Sequence, residues 1–229
     1  MASSLDKTVD PLYQVVFEHR EKKNGVTRLG VANGYGWDID PRHLVFTLSR
    51  YKFVAKMLSG SQRVVEIGCA DAFCSRIVKQ EVENLTVTDK EPLLIIDARE
   101  CVCNEWPIEI DVHDILQAPL PKIFDAAYSL DVLEHIPVED EDRFIRNVKS
   151  SLSPTGVFIC GMPSLESQDY ASEGSRKGHV NCKTGQDFKR LMEGHYNNVF
   201  LFSMNDEVVH TGFEKMAHYL ICLCVGPKE

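Results

Sequence analysis

Acidic residues stand where apolar runs stop, and in an α/β chain that is the edge at which a sheet presents its chemistry. The run Val64-Val65-Glu66-Ile67-Gly68-Cys69-Ala70-Asp71-Ala72-Phe73 reads as a buried strand that turns into a helix. Gly68 lacks a Cβ, so the backbone can turn sharply and a ligand can come close, while Ala70 and Ala72 keep the loop small. A pyrophosphate favours a helix end free of carboxylates. Glu66 and Asp71, which flank this turn, suit a cationic ligand instead. Asp89, in Thr88-Asp89-Lys90, follows Gly68 by 21 residues, where a carboxylate can accept two hydrogen bonds from ribose hydroxyls. That spacing supports a nucleoside ligand without choosing which one.

A third segment, Phe124-Asp125-Ala126-Ala127-Tyr128-Ser129-Leu130-Asp131-Val132-Leu133-Glu134-His135-Ile136-Pro137, opens as an apolar strand and ends in a polar Asp-x-x-Glu-His loop. Taken in order and spacing over residues 60–162, these three segments resemble the class I S-adenosylmethionine-dependent methyltransferases. The first departs from that family's acidic-x-Gly-x-Gly-x-Gly pattern, because Ala70 and Ala72 stand where glycines are usual. The resemblance implies S-adenosylmethionine as cofactor and S-adenosylhomocysteine as product. It gives Glu66, Gly68, Ala70, Asp89, Lys90, His113, Asp114 and Leu130 to cofactor binding, with Asp89 on the ribose and Asp114 on the adenine amino group; Asp111 competes for the latter role. Arg50, 18 residues before Gly68, is similar to an arginine that holds the methionine carboxylate in ubiquinone-biosynthesis-like members, and a guanidinium fork suits that anion. A solvated helix face is the alternative for Arg50.

Methyl transfer is an in-line displacement, so positioning supplies much of the acceleration. A hydroxyl acceptor also benefits from losing its proton, for which a histidine near neutral pKa is suited. His135 and His179 are the candidate bases, His210 is a weaker one, and Asp131 could orient a histidine or bind a substrate hydroxyl. Tyr35, Trp37 and residues 164–181 are expected to cover the acceptor. No metal-ligating residue is assigned: Cys101-Val102-Cys103 and Cys222-Leu223-Cys224 lack the spacing of zinc or redox sites, and the eight cysteines read as reduced and largely buried.

The elements that must hold these residues follow from periodicity. A helix is expected from about Arg42 to Leu58, then strands at Arg63–Ile67, Leu85–Thr88, Ile108–Asp111, Asp125–Leu130 and Val157–Cys160, with helices between. Ser153-Pro154-Thr155-Gly156 is expected to end the helix that starts near Val138. The last two strands, Val199–Met204 and Ala217–Val225, are joined by a connection without helical period, which favours an antiparallel hairpin. The expected fold is α/β: a Rossmann-like, seven-stranded, mostly parallel sheet flanked by helices and closed by that hairpin, and the methyltransferase resemblance implies that the last strand is inserted between its neighbours. Residues 1–41 are expected as an ordered arm or lid anchored by Tyr13, Phe17, Tyr35 and Trp37, and residues 42–229 as the catalytic domain.

A net charge of −9 without a basic stripe argues against nucleic acid, and no run is long and apolar enough to span a membrane. The expected acceptor is a small molecule, methylated on oxygen, such as a metabolite or a cell-surface saccharide precursor, and the expected location is cytoplasmic. Two other readings stay open: a nicotinamide-dependent oxidoreductase, against which the missing glycines speak, and a catalytically silent binding module, which Ala70 and Ala72 would allow.

Overall fold

In the computed structural model, which describes residues 7–22, 26–101 and 105–229, the apolar runs assemble one mixed sheet. Strands β1 (Arg63–Ile67), β2 (Asn84–Asp89), β3 (Glu109–Val112), β4 (Phe124–Leu130) and β5 (Leu152–Pro163) run parallel. Strands β6 (Tyr196–Asn205), β7 (Val208–His210) and β8 (Tyr219–Pro227) pair antiparallel, and β8 lies between β5 and β6. The strand order β3-β2-β1-β4-β5-β8-β6-β7 reverses between β1 and β4, and ligands of open α/β sheets bind in the crevice at such a reversal. The sheet has eight strands where seven were expected. The extra one, β7, forms within the final connection, which turns at Asp206 with a left-handed φ of 48°.

Helices α1 (Gln14–Lys22), α2 (Val31–Ile39), α3 (Pro41–Met57), α4 (Ser75–Lys79), α5 (Pro92–Cys101), α6 (Val138–Ser150), α7 (Glu173–Gly178) and α8 (Gly185–Glu193) complete the chain. Alternation along the strands splits the core into two faces. Val65, Ile67, Ala127 and Phe158 pack with Phe144, Ile145 and Val148 of α6 and Phe188 of α8; Val64, Val87, Tyr128 and Tyr219 pack with Tyr51, Val54 and Ala55 of α3 and Ile95 of α5. Helix α3 begins where Asp40 accepts a hydrogen bond from the Arg42 N–H and Pro41 fills the first turn. Its inward stripe Arg50, Tyr51, Val54 and Ala55 follows the helical period, so Arg50 is carried into the interior.

Two expectations about connections need correction. Ser153-Pro154-Thr155-Gly156 is not what ends the helix; α6 has already stopped at Ser150, and the four residues belong to β5, where the register with β4 jumps between Phe124↔Leu152 and Ala126↔Val157. The N-terminal aromatic residues Tyr13, Phe17, Tyr35 and Trp37 are exposed and do not anchor the arm. Polar capping holds α2 instead. The Val31 N–H donates to Asp97 at 2.7 Å, and Asn33 donates to both oxygens of Asp71 from its backbone N–H (2.7 Å) and its side chain (2.6 Å). Val102 and Cys103 of the Cys101-Val102-Cys103 segment lie outside the described residues. The described cysteines are free thiols, five of them buried: Cys69, Cys74, Cys160, Cys222 and Cys224. Among the described residues no helix is long and apolar enough to cross a membrane.

Candidate active site

The turn after β1 is built on left-handed backbone. Gly68 has a φ of 81°, and Ala70 and Ala72 adopt 48° and 53°, so the alanines take the backbone that glycine favours. Each such alanine costs about 1–2 kcal/mol relative to right-handed geometry. Gly68 is required twice over, since a Cβ there would sit 2.2 Å from Cγ2 of Val132 in the loop after β4. The backbone N–H groups of Gly68 and Cys69 donate to the Thr88 carbonyl oxygen at 2.8 and 3.0 Å, and the Ala70 N–H donates to Asp89 Oδ2 at 3.0 Å. Asp89 Oδ1 accepts from the Glu91 N–H at 2.9 Å. The turn and the end of β2 are thus clasped together, with Asp89 half-buried between them and Lys90 exposed beside it.

The His113 N–H donates to the Asp89 carbonyl oxygen at 2.9 Å, and Nε2 of its ring lies 3.0 Å from the Ala118 carbonyl oxygen. Asp114 is half-buried and uses Oδ1 to accept from the Leu116 N–H at 3.0 Å, while Asp111 is exposed on β3. Leu130 is buried at the end of β4.

Glu66 and Asp71 do not offer their charge to a ligand at this turn. Glu66 is on the face of β1 that packs on α3, and its carboxylate accepts from the hydroxyls of Tyr51 (2.5 Å), Tyr128 (2.7 Å) and Ser75. Burial pushes its pKa up to about 7, against the pull of those three hydroxyls toward the charged form. Asp71 is fully buried under α2, accepting from Asn33 and from the Phe73 N–H. It is the latch of the arm. A Cβ on Gly30, just before α2, would lie 2.5 Å from the Asp71 carboxyl carbon.

Across the crevice, Arg50 is buried and not on a solvated face. Its Nη1 donates to both oxygens of Asp131 at 2.9 and 2.7 Å, and its guanidinium carbon lies 3.8 Å from the centroid of the Tyr219 ring. Burial opposes the charge of Arg50, yet its pKa is raised, because Asp131 and Tyr219 favour the cation. Asp131 holds a left-handed φ of 58° and donates its N–H to the Gly161 carbonyl oxygen at 3.0 Å. Strain of this kind, fixed on both sides, is common where a side chain must be aimed.

The loop after β4 continues to Glu134 and His135. The backbone N–H groups of Val180 and Asn181 donate to the Glu134 carbonyl oxygen at 2.8 and 3.0 Å, which brings residues 179–181 onto this loop. His135 and His179 consequently meet edge to face, with ring centroids 5.1 Å apart. Burial, followed by the neighbouring His135, lowers the pKa of His179. The Glu134 carboxyl is pushed well above the usual range, by burial first and by Asp131 second. His210 is occupied elsewhere: Nε2 lies 2.8 Å from Asn205 Oδ1, and Nδ1 accepts from the Gly212 N–H at 2.9 Å.

A cavity of about 780 Å³ opens on the outer side of Arg50. Its walls come from Asp40 and α3 (His43, Phe46), the segment after β5 (Glu166, Gln168, Tyr170, Ser175, His179) and the approach to and start of β8 (Lys215, His218, Tyr219). Arg50, Asp131 and the two candidate histidines are thereby gathered at one end of the sheet. Trp37 lines a separate pocket of about 150 Å³ with Asn33 and Leu44, and Tyr35 lines neither. Glu134, Gln168, His218 and Tyr219 were not assigned from sequence. His218-Tyr219 was legible as the start of the last apolar strand, and Glu134 stood within the polar loop after β4.

Residues 65–160 match the methyltransferase domain family. Ubiquinone biosynthesis O-methyltransferases of Xanthomonas campestris pv. campestris are 28% identical over 131 residues, 54% of this chain and 54% of theirs. The chain thus spans about half the length of the curated relatives it matches. The N-methyltransferase NodS from Bradyrhizobium japonicum, solved with S-adenosylhomocysteine, superposes with a TM-score of 0.62 at 20% identity, covering 96% of this chain and 100% of that one. Magnesium protoporphyrin IX methyltransferase from Synechocystis, also with S-adenosylhomocysteine, gives a TM-score of 0.57 at 15% identity, covering 94% and 96%. Each of these relatives is named as a methyltransferase and not as a nicotinamide-dependent oxidoreductase. The methyltransferase-domain match over residues 65–160, the strand order and the glycine turn between β1 and α4 all agree with the resemblance to the class I S-adenosylmethionine-dependent methyltransferases.

Proposed function

We propose that the protein transfers the methyl group of S-adenosylmethionine to an oxygen of a small, hydroxyl-rich acceptor held in the cavity beside Arg50. The observation that carries this reading is the position of the cavity: it adjoins the Arg50–Asp131 pair at the crevice between β1 and β4 and is large enough for a metabolite or a saccharide precursor. Its lining mixes hydroxyl, amide and charged groups with the rings of Phe46 and Tyr170, a composition that suits a polar, ring-shaped molecule. The net charge of −9 speaks against a polyanionic acceptor.

S-adenosylmethionine supplies an electrophilic methyl group on a sulfonium. Gly68 lets the backbone approach it, Asp89 exchanges its clasp on the Ala70 N–H for the ribose hydroxyls, and Asp114 receives the adenine amino group. Lys90, His113 and Leu130 border the nucleoside. Arg50 holds the carboxylate end, oriented by Asp131 and the Tyr219 ring. Residues 163–179 cover the acceptor and keep water out, and its proton leaves at the edge where His135 and His179 stand. With Ala70 and Ala72 already in left-handed backbone, nothing in the turn calls for the silent-module reading.

The test is a screen of hydroxylated metabolites and nucleotide sugars with trideuteromethyl-labelled cofactor, read by mass spectrometry. A labelled methyl on one acceptor, at a rate about a hundredfold lower in His179→Ala, supports the proposal. A labelled nitrogen instead of oxygen would move the reaction to N-methylation, and full turnover in His179→Ala would remove the histidine edge from it.

A further inference from the structure

A buried carboxyl and two oxygens that can only accept hydrogen bonds converge where the loop after β4 meets residues 178–181. Glu134 is 1% exposed, and among the described residues neither of its carboxylate oxygens meets a donor. A buried carboxyl with both oxygens unpartnered is unfavourable in either protonation state, and a cation bound there would give those oxygens a partner. The Gly178 carbonyl oxygen, 2.9 Å from Nδ1 of His135, can only accept, which puts the proton of that ring on Nδ1. Gln168 donates from Nε2 to the Ser164 carbonyl oxygen and to Ser167 Oγ at 3.2 Å each, so it turns Oε1 toward Nδ1 of His179 at 2.9 Å. That ring too carries its proton on Nδ1. Each imidazole is left with a lone pair on Nε2, oriented by an oxygen behind it, which is the outer support typical of metal-binding histidines. One ligand atom from each of Glu134, His135 and His179 lies within 4.8 Å of the other two, close enough for side-chain adjustment to reach the ~3.4 Å edge of a tetrahedral site.

We propose that Glu134, His135 and His179 bind one divalent transition-metal ion of the manganese-to-zinc series. Two imidazoles and one carboxylate suit those ions better than magnesium or calcium, which prefer oxygen shells. Three protein ligands leave a coordination position open, and His179 also lines the acceptor cavity. An acceptor oxygen bound at that position would lose its proton more readily. This last role rests on the proposed acceptor site, whereas binding of the ion does not.

Chelator-treated protein is titrated with cobalt(II), followed by visible absorption, and with zinc and manganese, followed by calorimetry. One ion per chain is expected. Glu134→Gln and His179→Asn should each weaken binding by ~100-fold or more, the upper end of what loss of a merely supporting group costs. His135→Asn, at an exposed ring, decides the matter if a buried substitution fails to fold. S-adenosylhomocysteine titration of the same samples reports folding and tests the cofactor reading separately. The absence of stoichiometric uptake by the folded parent protein would overturn the proposal, as would uptake unchanged by all substitutions that fold.

Discussion

Replacing Glu66 by glutamine tests whether the acidic residue of the glycine turn belongs to the core and not to the ligand. Glu66 is 1% exposed and is surrounded by three hydroxyls, and burial raises its pKa from the ordinary 4.5 to about 7. The folded chain therefore holds this proton more tightly than the unfolded chain. The resulting stabilisation is complete below pH 4.5 and is lost as pH rises through about 7. At about 1.4 kcal/mol for each pH unit, the interval amounts to roughly 3 kcal/mol. A glutamine side chain would fill the same space with no proton to lose. The difference in stability between parent and Glu66→Gln should thus shift against the parent by about 3 kcal/mol between pH 4.5 and 8, or roughly 6–12 °C in Tm for a chain of this size. Thermal unfolding of both proteins, followed by circular dichroism across that pH range, measures it. A difference that stays constant with pH would refute the reasoning, and a difference that grows in the parent's favour would mean that the three hydroxyls hold Glu66 as an anion.

The left-handed φ of Ala70 predicts that Ala70→Gly stabilises the chain by about 1 kcal/mol in chemical denaturation, with S-adenosylhomocysteine affinity changed by no more than a few-fold. Gly68→Ala should do the reverse: with a Cβ 2.2 Å from Val132 Cγ2, the loop must move, and cofactor affinity should fall below detection in calorimetry while the fold persists by circular dichroism. Asp71→Ala removes the acceptor for both donors of Asn33, so α2 should detach; limited proteolysis should then cut within residues 26–40 at a rate at least tenfold higher, given about 1–3 kcal/mol for each orphaned group.

The parallel half of the sheet was legible because most of its strands are apolar runs closed by an acidic residue or a turn signal, as at Ile67-Gly68 and Leu130-Asp131. The antiparallel direction of the last strand was legible from the lack of helical period before it, and its insertion between β5 and β6 from the methyltransferase resemblance. Three features were not. A strand of three residues such as β7 has no period to read. The acidic neighbours of Gly68 looked available to a ligand, although Glu66 shares its alternation with Val64, whose face packs on α3; only the partners Tyr51, Tyr128 and Ser75 explain why a carboxylate is tolerated there. The arm was misjudged because aromatic residues suggested apolar anchoring, whereas the contacts that hold α2 are backbone donors meeting Asp71 and Asp97, which leave no hydrophobic trace. Arg50 shows the opposite case. Its spacing of four from Val54 already placed it on the buried stripe of α3, but its partner Asp131 lies 81 residues away and could only be found in three dimensions.

The most direct test of the central claim is titration calorimetry of S-adenosylhomocysteine with the parent protein and with Asp89→Ala. The turn at Gly68 and the carboxylate at the end of β2 predict one site per chain, weakened in the variant by roughly 1.5 to 3 kcal/mol, or about 10- to 150-fold, as for a charged hydrogen-bond acceptor. No binding by the parent protein, or equal affinity in both proteins, would contradict the account.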